Sequence, residues 1–233
     1  MNTLPSKRLL SVAEEVRQDA IVADIGTDHA YLPIFLLKAG RVRFAYLTDI
    51  NEGPLDRARE NAIEAGVADK TSCILTDGIA ALSGLGITDF TVCGMGGELI
   101  AEIIKGADFL KDRDIKLILQ PMSREGALRA FLYKEGFTIE REIYSYDAGK
   151  YYVAFSVKYA GKEIILSAIS AECGPSSVEI ANKDCHIGYL KKKIASYERI
   201  IAGKRKSGAA TQLDEEILEE LSSMLKTEEN NER

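Results

Sequence analysis

The sequence lacks a run of about 18 apolar residues, the length that a membrane-spanning helix needs. Its opening stretch, MNTLPSKRLL, also lacks the apolar core of a secretory signal peptide. Both absences argue against a membrane protein and against an exported one. We therefore expect a cytoplasmic protein with no membrane partner.

Cysteines with the spacing of metal ligands are absent as well. The four cysteines, Cys73, Cys93, Cys173 and Cys185, show no pairing of the zinc-site type. Two of them lie inside apolar, strand-like segments, where a reduced and buried thiol is expected. The sequence therefore predicts no metal.

An excess of positive charge is also missing, since the formal net charge is −6. That value argues against a protein covered in positive potential, and so mildly against nucleic-acid binding. The C-terminal part differs: residues 183–206 carry eight basic and two acidic side chains, and residues 207–233 carry eight acidic and two basic ones. The tail thus consists of a basic block followed by an acidic block, which a whole-chain count conceals.

Short apolar segments alternate with amphipathic segments through the first two thirds of the chain. The predicted strands are 20–23, 43–48, 71–76, 89–93 and 115–119, and the predicted helices are 31–39, 52–65, 98–105 and 124–135, after a short helix capped by Ser6. This alternation predicts a mostly parallel sheet covered on both faces. Two extended runs joined at residues 147–150 then predict a β-hairpin. Five strand–helix units followed by a hairpin are typical of a Rossmann-like class I methyltransferase, whereas a dehydrogenase would continue with another helix and parallel strand.

The C-terminal segment follows a different pattern. Residues 187–201 carry apolar side chains at alternating spacings of three and four, which predicts a coiled-coil helix. Residues 203–208 read as a basic turn containing glycine, and residues 213–224 carry a second apolar stripe. We therefore predict a methyltransferase domain over residues 1–160 and a helical, coiled-coil domain over residues 161–233.

Polar residues follow the predicted strands, where ligands bind in a doubly wound sheet. Gly26 permits a tight turn, and Asp49 lies 23 residues later, near the offset at which an acid binds ribose hydroxyls. Asp77 could accept a hydrogen bond from the amine of an adenine ring. Asp24 and Asp28 would repel a pyrophosphate but suit an amine and a sulfonium cation. This charge pattern favours S-adenosylmethionine over NAD as the cofactor.

Taken alone, the first loop (residues 24–30, after the first predicted strand) is a weak signal because it contains only one glycine of the usual nucleotide fingerprint. Gly94 and Gly96 resemble the start of a dinucleotide motif, but Leu99 stands where the third glycine would be. On spacing alone, an NAD-dependent oxidoreductase stays open as an alternative.

Four segments together resemble a known family. They are DIGTDHAYLP at residues 24–33, DIN at 49–51 with GPL at 53–55, GMGG at 94–97 and LILQP at 117–121. In this order they resemble the TrmK family, bacterial tRNA methyltransferases that form 1-methyladenosine at position 22 of the D-arm. The resemblance covers nearly the whole chain, including the tail. One departure is Met122, where Asn is expected after Gln120 and Pro121.

Motif positions and resemblance together assign the candidate site residues. For the cofactor they are Asp24, Gly26, His29, Asp49, Ile50, Asn51, Asp77, Gly78, Gly94 and Met95. The catalytic candidates are Asp28, His29 and Tyr31, in the first loop. Simpler explanations stand beside them: Asp28 as a helix cap, His29 as a loop-stabilising residue and Tyr31 as part of the core.

Acceptor binding is assigned to two further groups of residues. The residues expected near the reacting atoms are Gly96, Gly97, Gln120 and Pro121. The residues expected to bind RNA phosphates are Arg8, Lys191, Lys192 and Arg205, and Arg129 is a further candidate. A solvated helix face explains the lysines equally well. N1 of adenine has its own lone pair, so the enzyme mainly aligns the reactants and needs no strong base.

The resemblance thus implies a methyltransferase that uses S-adenosylmethionine to methylate N1 of adenosine 22 in the D-arm of tRNA. A methyltransferase for another RNA or a small molecule, an NAD-dependent oxidoreductase and a non-catalytic RNA-binding protein are the alternatives. We expect a monomer, with a homodimer left open because the apolar stripe could also pair between chains.

Overall fold

The computed structural model describes residues 5–231, which contain eight strands and eight α-helices. The strands are β1 (Ala20–Ile25), β2 (Val42–Asp49), β3 (Thr71–Leu75), β4 (Asp89–Gly96), β5 (Lys116–Ser123), β6 (Phe137–Asp147), β7 (Lys150–Tyr159) and β8 (Glu179–Ala181). The helices are α1 (Lys7–Glu15), α2 (Tyr31–Lys38), α3 (Glu52–Glu64), α4 (Gly97–Lys105), α5 (Glu125–Lys134), α6 (Ala168–Cys173), α7 (Lys183–Ser207) and α8 (Gln212–Asn231).

All eight strands form one sheet in the order β3-β2-β1-β4-β5-β7-β6-β8. Strands β1 to β5 run parallel, β7 runs antiparallel to both of its neighbours, and β8 runs parallel to β6. The predicted Rossmann-like α/β class and the terminal hairpin are therefore confirmed.

An apolar core lies on each face of the sheet, because side chains alternate along a strand. In β1, Ala23 belongs to the core that α4 and α5 cover, and Val22 belongs to the core that α1, α2 and α3 cover. A strand buried on both faces needs apolar residues throughout. This requirement explains why the central strands read as continuous apolar runs in the sequence.

The chain changes its winding direction at β1. Strand β1 lies between β2 and β4, so one connection leads towards one edge of the sheet and the next leads towards the other. A crevice opens at such a point, at the carboxyl ends of the strands. The loop after β1 and the last residues of β4 therefore meet there, and they carry the two glycine-containing motifs. Strand β4 does not end at residue 93 as predicted, but continues to Gly96, and α4 begins at the next residue.

The C-terminal segment differs from the prediction in two respects. Helix α6 and strand β8 were not predicted, and β8 adds to the sheet beside β6. The predicted turn at residues 203–208 is wrong, because α7 continues through Gly203 to Ser207 and Gly208 ends it with a φ of 73°. The division at residue 160 stays a prediction.

Helices α7 and α8 pack as an antiparallel hairpin. Leu190, Ile217 and Leu221 form a small buried cluster between them. Near the turn, Nζ of Lys204 lies 2.5 Å from Oδ2 of Asp214, and at the far end Nζ of Lys191 lies 2.9 Å from Oε1 of Glu229. The basic and acidic blocks therefore face each other along the hairpin. A coiled-coil register stays a prediction.

A buried ion pair between α5 and β6 also holds helix α6, which precedes the hairpin, against the sheet. Nε and Nη2 of Arg129 donate to Oε1 and Oε2 of Glu142 at 2.6 and 2.9 Å, and both side chains are 1% exposed. The Tyr144 hydroxyl donates to Oε2 of Glu142 at 2.5 Å, and Nη1 of Arg129 donates to the carbonyl of Ala171 at 3.0 Å. Burial alone would raise the pKa of Glu142, but Arg129 holds it below its usual value. The idea that Arg129 contacts RNA is therefore wrong.

Within residues 5–231, no helix has both the length and the apolar character needed to cross a membrane. In the same part of the chain, no group of three or more His, Cys, Asp or Glu side chains is arranged to hold a metal ion.

We expect Arg129→Met to lower the free energy of unfolding by about 3–5 kcal/mol, because it leaves the buried Glu142 carboxylate without its partner. Urea unfolding at pH 7.5 measures the change. Arg113→Met removes the same charge from an exposed position and serves as the matched control. Equal stability of the two variants would contradict this interpretation of the ion pair.

Candidate active site

A cavity of about 390 Å³ lies at the carboxyl ends of β1, β2 and β4. This volume falls within the range of about 300–1,000 Å³ typical of small-molecule sites. Nine of the residues singled out from the sequence line it: Arg8, Asp24, Gly26, Asp28, His29, Tyr31, Asp49, Gly94 and Met95. The structure therefore brings together the first loop, the end of β2, the end of β4 and helix α1.

The remaining candidates lie outside the lining of this cavity. Ile50 and Asn51 follow β2, Asp77 and Gly78 follow β3, and Gly96, Gly97, Gln120 and Pro121 lie where β4 and β5 end. Lys191, Lys192 and Arg205 lie on α7, in the helical hairpin. Their proposed roles stay predictions.

Asp24 lies at the floor of the cavity and is buried. The hydroxyls of Thr27 and Thr91 donate to its two carboxylate oxygens at 2.8 and 2.7 Å. Burial raises the pKa of Asp24 to about 6, and the two hydroxyl bonds offset only part of that effect. Neither threonine was predicted, and Thr91 carries no signal because it lies inside an apolar strand.

The loop that holds Asp28 and His29 is strained. Asp28 and Ala30 have positive φ values of 48° and 55°, which L-amino acids rarely adopt and which cost of order 1–3 kcal/mol each. Arg57 donates to Oδ1 of Asp28 at 3.2 Å, and Asn61 donates to the His29 carbonyl at 2.9 Å. Both partners come from α3, and neither was predicted.

The simpler explanations for two of these residues are wrong. Asp28 does not cap α2, because Ala30 precedes the first residue of that helix and no side chain caps it. Tyr31 is 39% exposed rather than part of the core. Its ring stacks on that of His29, with centroids 5.2 Å apart and an angle of 11° between the planes. The two rings therefore present flat aromatic surface beside the cavity.

The loop after β1 touches the end of β4 at Gly26. This residue has a φ of 69°, and a Cβ atom there would lie 2.2 Å from Cε of Met95. A side chain at position 26 would therefore strain the turn and push Met95 away. Gly97 has a similar constraint, since a Cβ atom there would lie 2.4 Å from the carbonyl oxygen of Arg124. These glycines allow the close approach of backbone to side chain and of backbone to backbone.

Strand β5 does not stop at Gln120 and Pro121 as predicted, but continues to Ser123. Gln120 is 1% exposed, and its Oε1 accepts the backbone N–H of Gly94 at 3.2 Å. A side-chain bond thus links β5 to Gly94 in β4.

The charge around the cavity is mostly negative. Asp24, Asp28 and Asp49 line it, and Arg8 is the cation among the lining residues. Carboxylates at this place suit a cationic ligand and repel a pyrophosphate. Burial, with the nearby Asp24 carboxylate, raises the pKa of the Cys93 thiol, so this sulfur is a poor nucleophile.

Comparison with known proteins agrees with this fold and site. A methyltransferase domain family model matches residues 5–155. A tRNA (adenine(22)-N(1))-methyltransferase from Bacillus subtilis is 32% identical over 194 residues, which are 82% of this chain and 81% of the relative.

Two solved structures are similar over nearly the full length. The TrmK m1A22 tRNA methyltransferase of B. subtilis has a TM-score of 0.75 at 26% identity, covering 98% of this chain and 99% of that one. A candidate tRNA (m1A22) methyltransferase of Streptococcus pneumoniae, solved with S-adenosyl-L-methionine, has a TM-score of 0.79 at 31% identity, covering 95% and 100%.

The strand order, the cavity at the switch point and the matched domain define a Rossmann-like methyltransferase. Within that class, the chain belongs to the TrmK family of tRNA (adenine(22)-N1)-methyltransferases. The resemblance seen in the four sequence segments is confirmed.

We expect Asp24→Asn to stabilise the cofactor-free protein at neutral pH. The folded-state pKa of about 6 lies above the ordinary value of 3.8, so the folded protein holds the proton more tightly than the unfolded chain does. The wild type should therefore lose stability relative to the variant as pH rises from about 4 to about 6, by an amount on the order of 3 kcal/mol. Urea unfolding from pH 4 to pH 8 measures this difference. Parallel stability curves for the two proteins would contradict it, and Asp69→Asn, at an exposed site, is the control.

Proposed function

We propose that this protein transfers a methyl group from S-adenosylmethionine to N1 of adenosine 22 in the D-arm of tRNA. The observation that carries the proposal is a cavity lined by three carboxylates at the switch point of the sheet, in a member of this family. We further propose that the protein acts in the cytoplasm as a monomer and without a metal.

The residues of the cavity fit this cofactor, which supplies an activated methyl group on a positively charged sulfur. Asp49, at the end of β2, would accept hydrogen bonds from the ribose hydroxyls. Asp77, which follows β3 outside the cavity lining, would accept from the adenine amine. Asp24 and Asp28 attract the methionyl amine and the sulfonium. Gly26 leaves the first turn open to close approach by the ligand.

The acceptor side needs alignment more than proton transfer, since N1 of adenine carries its own lone pair. The stacked rings of His29 and Tyr31 offer a surface for a base that has left its helix. The backbone from Gly94 to Gly97 contacts the edge of that base. Cys93 holds its proton and takes no part in the transfer.

The hairpin contributes tRNA affinity through Lys191, Lys192 and Arg205. Nη2 of Arg205 lies 2.9 Å from Oε1 of Glu215, so Glu215 partly neutralises the charge of Arg205 within the hairpin. The Arg205 side chain is nonetheless 67% exposed. Surface ion pairs are worth about 0–1 kcal/mol, so a tRNA phosphate can compete for such a side chain.

The decisive experiment adds the protein and S-adenosylmethionine to unmodified tRNA transcripts and maps reverse-transcription stops. A stop at adenosine 22, lost when that base is replaced by guanosine, is the expected result. Methyl transfer elsewhere in the tRNA would reject the proposed position. Binding of NADH with no binding of S-adenosylhomocysteine would reject the methyltransferase assignment itself.

Asp49→Ala should weaken S-adenosylhomocysteine binding by about 10- to 100-fold, because it removes hydrogen bonds to a charged acceptor worth about 1.5–3 kcal/mol. Isothermal titration calorimetry at pH 7.5 measures the affinity. Asp69→Ala, outside the cavity, should bind as the wild type does. An unchanged affinity of Asp49→Ala would remove the ribose assignment.

The double variant Lys192→Gln and Arg205→Gln should raise KM for tRNA and leave cofactor affinity unchanged. Each side chain that no longer neutralises a phosphate should also reduce the slope of log affinity against log salt by about 0.7–0.9. Filter binding of tRNA between 50 and 200 mM salt measures the slope. The control is Lys38→Gln with Arg113→Gln, which removes two exposed charges near the amino ends of β2 and β5. A slope equal to that of the control would exclude both side chains from the tRNA interface.

A further inference from the structure

We propose that Arg8 is a positioning residue that acts through Gln120 on the turn at Gly94, and that neither side chain reads the tRNA directly. This inference rests on the proposed methyltransferase function and deepens it. It concerns what sets the distance between the turn at Gly26, after β1, and residues 94–97 at the end of β4.

Helix α1 delivers Arg8 to the site and is fixed at both ends. The Ser6 hydroxyl caps its start by accepting the backbone N–H of Leu9 at 3.4 Å. At the other end, the buried Glu15 carboxylate accepts from Lys116 at 3.1 Å and from Arg141 at 3.0 Å. Glu15 thereby ties the helix to β5 and β6. Arg8 is therefore held in place by the fold rather than placed by a ligand.

The Arg8 guanidinium has two partners from distant parts of the chain. Nη1 donates to Oε1 of Gln120, and the guanidinium carbon lies 5.7 Å from the centre of the Tyr152 ring on β7. A planar cation over an aromatic face, with one edge bonded to an amide oxygen, is a geometry that Arg forms and Lys does not.

The Gln120 carboxamide is fully engaged inside the protein. Its Oε1 accepts from Arg8 and from the Gly94 N–H, and its Nε2 donates to the Pro121 carbonyl at 2.8 Å and to Sδ of Met122 at 3.7 Å. An amide nitrogen has two hydrogens to donate, and both have partners here. A buried amide in this state has little left with which to bind a base. The sulfur of Met122, which stands where Asn is expected, accepts one of these two hydrogen bonds.

These contacts together hold the backbone of Gly94 in place. The pairing of β4 with β5 shifts register between Cys93 and Met95, so Gly94 is an extra residue without a strand partner. Its φ of 80° is typical of a glycine in a β-bulge. The N–H that the bulge removes from the ladder bonds to Gln120 instead. Arg8 therefore orients the group that holds the bulge.

The bulge also sets the contact between the two loops. Met95 follows Gly94 directly, and its Cε lies so close to Gly26 that a Cβ there would be 2.2 Å away. A continuous set of contacts thus runs from Arg8 through Gln120, Gly94 and Met95 to Gly26. Loss of Arg8 should shift residues 94–97 relative to the turn at Gly26. Displacement by about 1 Å can lower the rate of an aligned reaction by about 100-fold.

The test compares Arg8→Met, Arg8→Lys, Gln120→Leu and the double variant Arg8→Met with Gln120→Leu. Arg8→Met should lower kcat for tRNA methylation by about 10- to 100-fold and leave KM for tRNA within about threefold. Arg8→Lys keeps the charge but should restore less than a tenth of the lost kcat. The double variant should lose no more than Gln120→Leu alone, because Arg8 acts only through Gln120. Arg113→Met is the control and should match the wild type.

Three results would overturn the proposal. They are a raised KM for tRNA with unchanged kcat, full rescue by lysine, and multiplicative losses in the double variant. The first two would make Arg8 a phosphate-binding residue. Binding of S-adenosylhomocysteine shows that each variant is folded.

A second measurement does not depend on the substrate. Hydrogen exchange of the cofactor-free protein should be about tenfold faster in Arg8→Met than in the wild type for the peptide that covers residues 93–97. Unchanged exchange there would reject the positioning role even if the wild type methylates tRNA. Faster exchange in a protein that methylates no tRNA would support the positioning role and reject the proposed function.

Discussion

The ion pair between Arg129 and Glu142 is the interaction on which the arrangement of the two parts of this chain depends. Taking both charges out of water is costly, and the cost is offset only if every polar atom has a partner. Arg129 meets that requirement by donating to the carbonyls of Ala171 and Glu172, at 3.0 and 3.3 Å, as well as to Glu142. The segment before the hairpin is therefore held against α5 and β6, and the hairpin that follows it extends from a fixed base. This position lets α7 and α8 lie beside the sheet without forming part of the cavity.

The site shows the opposite balance, in which function is retained at the expense of stability. Asp24 is buried, and its raised pKa reflects how unfavourable burial makes its charged form. The turn around His29 holds two non-glycine residues at positive φ. A cationic cofactor would relieve the first of these costs, because it supplies the counter-charge. Ligand binding and folding stability are thus linked at this place.

Much of the architecture follows from patterns in the sequence. The central strands, the hairpin and the cap at Ser6 were predicted because buried strands, turns and caps each require particular residue types at short range. The prediction failed where longer-range contacts outweighed local preference. Gly203 reads as a turn residue, yet glycine costs a helix only about 1 kcal/mol, and packing of α7 on α8 exceeds that. Strand β8 has three residues, too few for a pattern, and forms only because β6 offers an edge.

The sequence by itself determined that the polar residues at the ends of β1, β2 and β4 gather at one place, because strands of a parallel sheet bring their carboxyl ends, and whatever follows them, to one edge. Asp24, Gly26, Asp49 and Gly94 needed no further information. Only the tertiary structure decided how these residues are supported. Thr91, Arg57 and Asn61 support the first loop, and Arg8 reaches Gln120 across 112 positions of the chain. A hydrogen bond needs its two atoms within about 3 Å, and no local pattern records which distant side chains the fold will bring that close.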